Sequence, residues 1–447
     1  MPIFDPRMET MPREQLRRLQ NERLAQLVRY VYECVPFYRQ ALDEAGVRPD
    51  EIDSIDDITR LPFTRKSDLR DHYPFGLLAV PRDKLLRVHA SSGTTGKPTV
   101  VSYTAGDIDL FAEVNARSLA AAGGGPGSML HNAYGYGLFT GGLGLHYGGE
   151  KLGMTVVPVS GGVTERQITL ILDFQPDMIA CTPSYGQTLA GEFAKRGVAP
   201  DEISLKYAVL GAEPWTQTIR EHVDAGLGIR SSNIYGLSEI IGPGVSQECV
   251  EERAGAHIWE DHFYPEVVDP DSGEPLPEGL VGELVLTTLT KEAMPLVRYR
   301  TGDITALSHE PCSCGRTHVR MERIFGRTDD MLIVRGINLY PTQLELILRG
   351  IDGLVPHYQL VVTRDGALDE AELRVEVAPE LFQAAGQAAL SGELSAAEEP
   401  LRRLRQEVVR RIRETLGLRI TATLMAPGSV PRSEGGKLRR VVDKRQL

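Results

Sequence analysis

Basic charge is in short supply along this chain. Its 447 residues carry 49 Lys and Arg against 61 Asp and Glu, a formal net charge of -12. A general nucleic-acid-binding surface needs clustered cations to neutralise phosphates, so that class of partner is excluded. A local basic site for a small phosphorylated ligand is still allowed. Nowhere do about eighteen apolar residues run together, so no transmembrane helix is expected. The opening segment MPIFDPRMETMPREQLRRLQ alternates charges and lacks the apolar centre of a secretory signal. Cysteine is scarce as well: five in a chain of this length do not build a disulfide framework. Together these absences predict a soluble protein of the reducing cytoplasm, without membrane or nucleic-acid partners. No internal repeat is visible, which removes solenoid and propeller architectures.

What is present is ordinary globular composition, 42% hydrophobic and 25% charged. The length predicts two or three domains, since single domains usually run about 100–200 residues. Residues 12–45 read as amphipathic helix, with Leu16, Leu19, Leu24 and Leu27 at helical spacing. From about 100 to 330 short apolar runs alternate with helical stretches such as 164–174 and 216–225. The runs are MTVVPVS (154–160), MIACTPS (178–184), YAVLGAE (207–213) and SNIYGLSE (232–239), and each ends in small or polar residues. Strands alternating with helices imply a parallel sheet, whose ligands gather at the carboxyl ends of the strands.

The texture changes near 326–336. MLIVRG (331–336), a helix at 341–348, an antiparallel pair 358–364 and 372–377 around the turn DGALDE, a basic helix at 400–416 and a strand near 420–426 form a small α+β unit. The expected fold class is α/β, a large N-terminal domain divided into subdomains and a smaller C-terminal one, with domains 1–328 and 329–447. The alanine-rich stretch 381–398 reads as exposed helix or loop.

The sharpest local feature is Ser91-Ser92-Gly93-Thr94-Thr95-Gly96-Lys97-Pro98-Thr99. Small hydroxyl and glycine residues leave backbone amides free to close on phosphate oxygens, and the lysine adds charge. It is not a Walker A loop, which needs a glycine where Ser91 stands and Ser or Thr where Pro98 stands. Further segments follow in order: Tyr235-Gly236-Leu237-Ser238-Glu239, Tyr299-Arg300-Thr301-Gly302-Asp303, Gly326-Arg327-Thr328-Asp329-Asp330 and Ser433-Glu434-Gly435-Gly436-Lys437. In this order and spacing the chain resembles the adenylate-forming superfamily of acyl-CoA synthetases, firefly luciferases and peptide-synthetase adenylation domains. Three more segments, 133–142 (AYGYGLFTGG), 211–215 (GAEPW) and 257–262 (HIWEDH), resemble the phenylacetate-CoA ligase family within it.

The resemblance implies a large adenylate-forming N-terminal domain and a small mobile C-terminal lid, acting on ATP, Mg2+, coenzyme A and a small aromatic carboxylic acid. It assigns the phosphates of ATP to Ser91, Ser92, Gly93, Thr94, Thr95, Gly96 and Lys97. Gly211, Ala212, Glu213 and Pro214 would flank the adenine, Tyr235 would stack on it, and Gly236 and Ser238 belong to the same nucleotide loop. Glu239 would help bind Mg2+, as a hard cation bridging phosphate oxygens suits a carboxylate. Asp303 would accept hydrogen bonds from both ribose hydroxyls, and Arg327 would contact ribose or phosphate. Tyr134, Tyr136, Phe139 and Gly141 would wall the acid's pocket, flat rings favouring an aromatic partner. Asp329 matches a hinge, Gly336 a coenzyme A tunnel, and Lys437 the catalytic lysine that stabilises charge as the carboxylate attacks the α-phosphate. The family also implies a homodimer.

Cys312-Ser313-Cys314-Gly315 reads as a metal knuckle to which Cys249 and His257 could add two ligands, the donor set of a closed structural zinc site. His262, His309 and His318 compete as ligands, and unligated thiols are the alternative. Cys34 and Cys181, set among apolar neighbours, read as core residues. The reaction implied is ligation of an aryl acid, phenylacetate foremost, to coenzyme A with release of AMP and pyrophosphate. Two other readings stay open: an adenylating enzyme that loads a carrier-protein thiol, and a non-catalytic nucleotide-binding sensor of the same fold. Lys437→Ala should slow adenylate formation by about a hundredfold or more while sparing transfer from preformed adenylate to coenzyme A. Single-turnover assays of the two half-reactions check this, and equal losses in both would contradict the assigned role.

Overall fold

Strands that are apolar on both faces have to be covered on both faces, and this requirement organises the larger part of the chain. Met178–Cys181 is buried along its whole length, and Tyr207–Gly211 from its second residue onward. Such continuous apolar runs suit a parallel sheet sandwiched by helices. In the computed structural model residues 3–91, 99–213, 215–328, 332–334, 337–339, 341–365, 368–385, 399–430 and 440–444 are described. The chain divides into two compact units, Met1–Ile324 and Phe325–Leu447.

In the first unit, nine strands form one sheet in the spatial order Leu307–Ser308, Arg320–Met321, Ala256–Ile258, Gly242–Glu248, Arg230–Leu237, Tyr207–Gly211, Met178–Cys181, Met129–Asn132 and Thr155–Val157. The last five run parallel, and Gly242–Glu248 turns back antiparallel on Arg230–Leu237. The helices Ala105–Ala121, Gly141–Leu152, Thr164–Phe174, Pro183–Lys195 and Gln217–Leu227 lie between the strands in sequence. An antiparallel set of Phe263–Val268, Gly282–Thr288 and Tyr299–Thr305 stands beside the main sheet, as does the hairpin Arg87–Ser91 with Thr99–Tyr103.

The expected single helix over 12–45 is two helices, Arg13–Cys34 and Pro36–Glu44. Val35 is extended because the residue before a proline is pushed out of the helical region, and Pro36 then begins the second helix, where its missing N–H costs nothing. Leu16, Leu24, Leu27, Val28 and Val31 line the buried face of the first. Cys34, expected in the core, is exposed at the end of that helix, whereas Cys181 is buried as expected. Among the described residues no helix is long and apolar enough to cross a membrane.

The second unit is built on the sheet order Thr421–Met425, Leu368–Val377, Leu354–Asp365 and Val441–Asp443. Its central hairpin pairs Asp365 with Leu368, so the strands run into the segment expected to be a six-residue turn. Helices Pro341–Arg349 and Glu399–Leu416 supply its core, the latter through Leu401, Leu404, Val408 and Ile412.

The N-terminal end of the first unit is tied down by charge. The carboxylate of Glu9, on the short helix Pro6–Glu9, meets the Arg316 guanidinium at 2.7 Å, and neither side chain has any solvent exposure. Thr317 N–H donates to Glu9 O and its hydroxyl to Met11 O. Removing one member of a buried pair strands the other charge. Glu9→Ala should therefore destabilise this unit by about 3–5 kcal/mol in urea unfolding. A loss below about 1 kcal/mol, the worth of an exposed pair, would refute a stabilising role for the contact.

Candidate active site

Chain order and spatial order part company at Met129–Asn132. The next strand in sequence, Thr155–Val157, lies on one side of it, and the strand after that, Met178–Cys181, on the other. Such a reversal, at the carboxyl ends of the strands, is the usual ligand position in an open parallel sheet. The aromatic loop leaves from that point. Tyr134 is buried, and burial pushes its phenol well above its ordinary range, with Cys181 and Glu213 adding to the effect. The Tyr136 hydroxyl accepts from Asn132 Nδ2 at 2.9 Å and lies 3.2 Å from His146 Nδ1, with the two rings edge to face at 5.8 Å. Asn132 Nδ2 also donates to Gly142 O at 2.8 Å, closing the loop on itself. Phe139 is partly exposed, and a Cβ at Gly141 would come within 2.4 Å of its ring. Only glycine lets that ring lie where it does.

The next strand ends follow the same pattern. A Cβ at Gly211 would lie 2.2 Å from Ile234 O, so glycine is needed for the close approach of Arg230–Leu237. Ala212 turns with φ +67°, and the Glu213 carboxylate accepts from Ser184 Oγ at 3.0 Å and Ser184 N at 3.2 Å. That ties it to the start of the helix Pro183–Lys195. Gly236 faces Gly242 O so closely that a Cβ would sit at 1.9 Å. Tyr235, on the same strand, donates its hydroxyl to Asp303 Oδ2 at 2.6 Å. Two motifs 68 residues apart in sequence thus meet. Ser238 Oγ is 3.3 Å from Thr140 Oγ1, joining the nucleotide-type loop to the aromatic loop.

Glu239 is buried at the end of this strand region. Its Oε1 faces Lys66 Nζ at 3.5 Å, and its main-chain carbonyl accepts from Lys291 Nζ at 2.9 Å. Ser92, Gly93, Thr94, Thr95, Gly96, Lys97, Pro214, Asp329, Gly336 and Lys437 lie outside the described residues. Arg327 belongs to the second unit, on the short strand Gly326–Arg327.

Away from the strand ends, Cys249, His257, Cys312 and Cys314 converge, all buried, with their donor atoms within 4.8 Å of one another. Cys249 Sγ is 3.5 Å from Cys312 Sγ, and Cys314 Sγ is 3.4 Å from His257 Nε2. Tetrahedral zinc with its usual bond lengths spaces such donors by about 3.5–3.8 Å. His257 Nδ1 faces His318 O at 3.2 Å, which leaves Nε2 for the sulfurs. His262 and His318 have other partners: the former faces Thr290 Oγ1 at 2.8 Å and the latter Met8 O at 3.0 Å. His309 lies beside Glu278 at 3.0 Å.

Residues 17–289 match the model of the AMP-binding enzyme family, and 336–445 that of the AMP-binding enzyme C-terminal domain. A phenylacetate-coenzyme A ligase of Thermus thermophilus is 68% identical over 99% of this chain and 100% of its own length. One from Escherichia coli is 49% identical over 99% and 98%. The chain belongs to the phenylacetate-coenzyme A ligase family. Among solved structures, a 2-hydroxyisobutyryl-CoA ligase in the postadenylation state, holding an acyl-AMP, is 30% identical and covers 99% of this chain and 94% of its own, with a TM-score of 0.87. Members of this family are AMP-forming acid–thiol ligases, with the mixed α/β architecture seen here.

Within that family frame, four residues of the site escaped the sequence reading. Asn132 and His146 hold Tyr136, and Lys66 and Lys291 flank Glu239. A lysine in RKSDL or LTKEA reads as a solvated charge, and only the closure of the chain brings either to Glu239. For Asn132 a signal existed: an amide directly after an apolar run, at the end of the strand where the order reverses.

Proposed function

We propose that the protein joins phenylacetate, or a closely related aryl acid, to coenzyme A by way of an acyl-adenylate. The observation that carries this reading is the convergence of Tyr235, Asp303 and Glu239 with the Tyr136–Thr140 loop at one edge of the sheet. A nucleotide-type site next to an aromatic loop is what adenylation of an aryl acid needs. In the first half-reaction the acid's carboxylate oxygen attacks the α-phosphorus of ATP and pyrophosphate leaves. In the second the coenzyme A thiol attacks the acyl carbonyl, the new C–S bond forms and AMP leaves.

In this reading Asp303 receives the ribose hydroxyls, Tyr235 covers the adenine, and Tyr134, Tyr136, Phe139 and Gly141 enclose the acid's ring. Lys437 offsets the charge that builds during adenylation, and the C-terminal domain with Asp329 and Gly336 serves the thiol step. Glu239, a buried carboxylate, offers the hard oxygen donor that suits magnesium, which neutralises phosphate charge when bound with ATP. Cys249, His257, Cys312 and Cys314 hold a structural zinc, a donor set that leaves no open position for substrate. A homodimer in the cytoplasm completes the proposal.

Incubating the protein with ATP, Mg2+, coenzyme A and a panel of aryl acids, with AMP and thioester followed by mass spectrometry, tests the function. Phenylacetyl-CoA with equal AMP is expected. AMP or pyrophosphate without thioester would move the reading to carrier loading, and neither product with any acid would favour a sensor. Metal analysis should find about one zinc per chain. Cys312→Ser should lower zinc content and Tm more than turnover, and a metal-free parent with an unchanged Tm in the variant would refute the site.

A further inference from the structure

Lys291 is the one buried lysine among the described residues, and it lies on the connection between Gly282–Thr288 and Tyr299–Thr305. Besides donating to Glu239 O, its ammonium stands 5.4 Å from the centre of the Tyr103 ring. The Tyr103 hydroxyl donates in turn to Ile241 O at 3.0 Å. Two side chains therefore hold the main chain on either side of Ile240, at the point from which the Glu239 carboxylate projects toward Lys66. The lysine's own segment is fixed independently. Asp107 accepts from Glu292 N at 2.7 Å, Ala293 N at 2.9 Å and Thr104 N at 3.0 Å.

Packing alone gives no reason for a charge at this position. Burial pushes the Lys291 ammonium down to about 8, against the pull of Asp107 and Glu239. A methionine would fill a similar volume without the desolvation cost, and replacing a buried charge by such a side chain is often neutral or stabilising. Asp107 would keep its three backbone donors. The group lost would be the donor to Glu239 O, together with the positive charge behind that carboxylate. Local rules broken at a cost to the fold are expected where function requires it.

We infer that Lys291 is a positioning residue for nucleotide binding: it fixes the main chain of Glu239 and offsets that side chain's negative charge, so that the magnesium–ATP complex, itself a net anion, is received there. This rests on the reading of Glu239 as the magnesium carboxylate. Lys291 acts through Glu239 and touches no reacting atom.

The test is acid-dependent exchange of pyrophosphate into ATP, with phenylacetate as the acid and MgATP varied. Lys291→Met should raise the half-saturating MgATP concentration about tenfold or more, the usual scale when a group that orients a metal ligand is removed. Its KM for phenylacetate should stay within about twofold of the parent, because the aromatic loop is untouched, and its Tm should hold or rise. Unchanged MgATP saturation, with or without a fall in Tm, would overturn the inference. Should the methionine variant fail to fold, Lys291→Gln drops the charge and keeps an N–H, and the same split between MgATP and acid is expected of it. Glu239→Gln separates the two levels. If that variant saturates with MgATP as the parent does, the assignment of Glu239 falls and the inference with it. If it is impaired while the Lys291 variants are not, the inference alone falls.

Discussion

Parallel strands buried on both faces, as Met178–Cys181 and Tyr207–Gly211 are, carry polar chemistry best where they end. Met178–Cys181 and Tyr207–Gly211 have apolar interiors, where an unpaired polar group would go unsatisfied, while the buried His131 and Ser232 of their neighbours are hydrogen-bonded. Polar side chains of the site accordingly gather at the last residues of these strands and just beyond them, as Asn132, Tyr235 and Glu239 do. Since the strands run the same way, those ends share one edge. The order reverses at Met129–Asn132, on that same edge, and there the aromatic loop and the Tyr235–Glu239 segment meet through Thr140 and Ser238. Close approach of neighbouring backbones is the second consequence. Gly211 and Gly236 lie where a Cβ would press on a carbonyl of the next strand, so the motif glycines serve the sheet as well as any ligand.

This explains how much of the molecule was legible in the sequence. Apolar runs ending in small and polar residues marked the strands, and Thr164–Phe174 fell where helical periodicity put it. The four metal-type ligands could be named because Cys-Ser-Cys is local, while Cys249 and His257 end or enter strands of the same sheet. Cys34 misled for the opposite reason. Apolar neighbours surround it in sequence, and its spacing from Leu27 and Val31 points inward, but it is the last residue of Arg13–Cys34 and stands exposed where the chain breaks before Pro36. Lys66 and Lys291 could not be read at all. Their partner is the same residue, Glu239, met by Lys66 at its carboxylate and by Lys291 at its main-chain carbonyl, and no local pattern encodes a contact made by topology.

Buried charge is the recurring expense of this arrangement. Glu9–Arg316, Arg117–Asp261 and Arg298–Glu266 are paired ions almost wholly out of water. Arg117 and Arg298 each meet their carboxylate through two hydrogen bonds, the geometry in which attraction best recovers desolvation. Each pair joins segments far apart in sequence: the N-terminus to the cysteine loop, the helix Ala105–Ala121 to the HIWEDH segment, one strand of the small antiparallel set to the approach to another. Their contribution is geometric, since an apolar contact of equal area would tolerate sliding where a two-point hydrogen-bonded pair does not.

Lys291 differs from those pairs in that its hydrogen bond goes to a neutral carbonyl, so its charge is only partly compensated. Asp107, the anion that pulls on it most, is already committed to three backbone N–H groups. An ammonium left in that state is a standing source of positive potential at the Glu239 main chain, with Lys66 supplying more at its carboxylate. Two cations thus meet one residue, Lys66 at its carboxylate and Lys291 at its main chain. The two requirements of a magnesium–nucleotide site, an anionic ligand for the metal and a cationic field for the phosphates, conflict at a single point in space. They are reconciled when cations lie close to the carboxylate, and under the proposed assignment of Glu239 that is what Lys66, 3.5 Å from its carboxylate, and Lys291, on its main-chain carbonyl, supply.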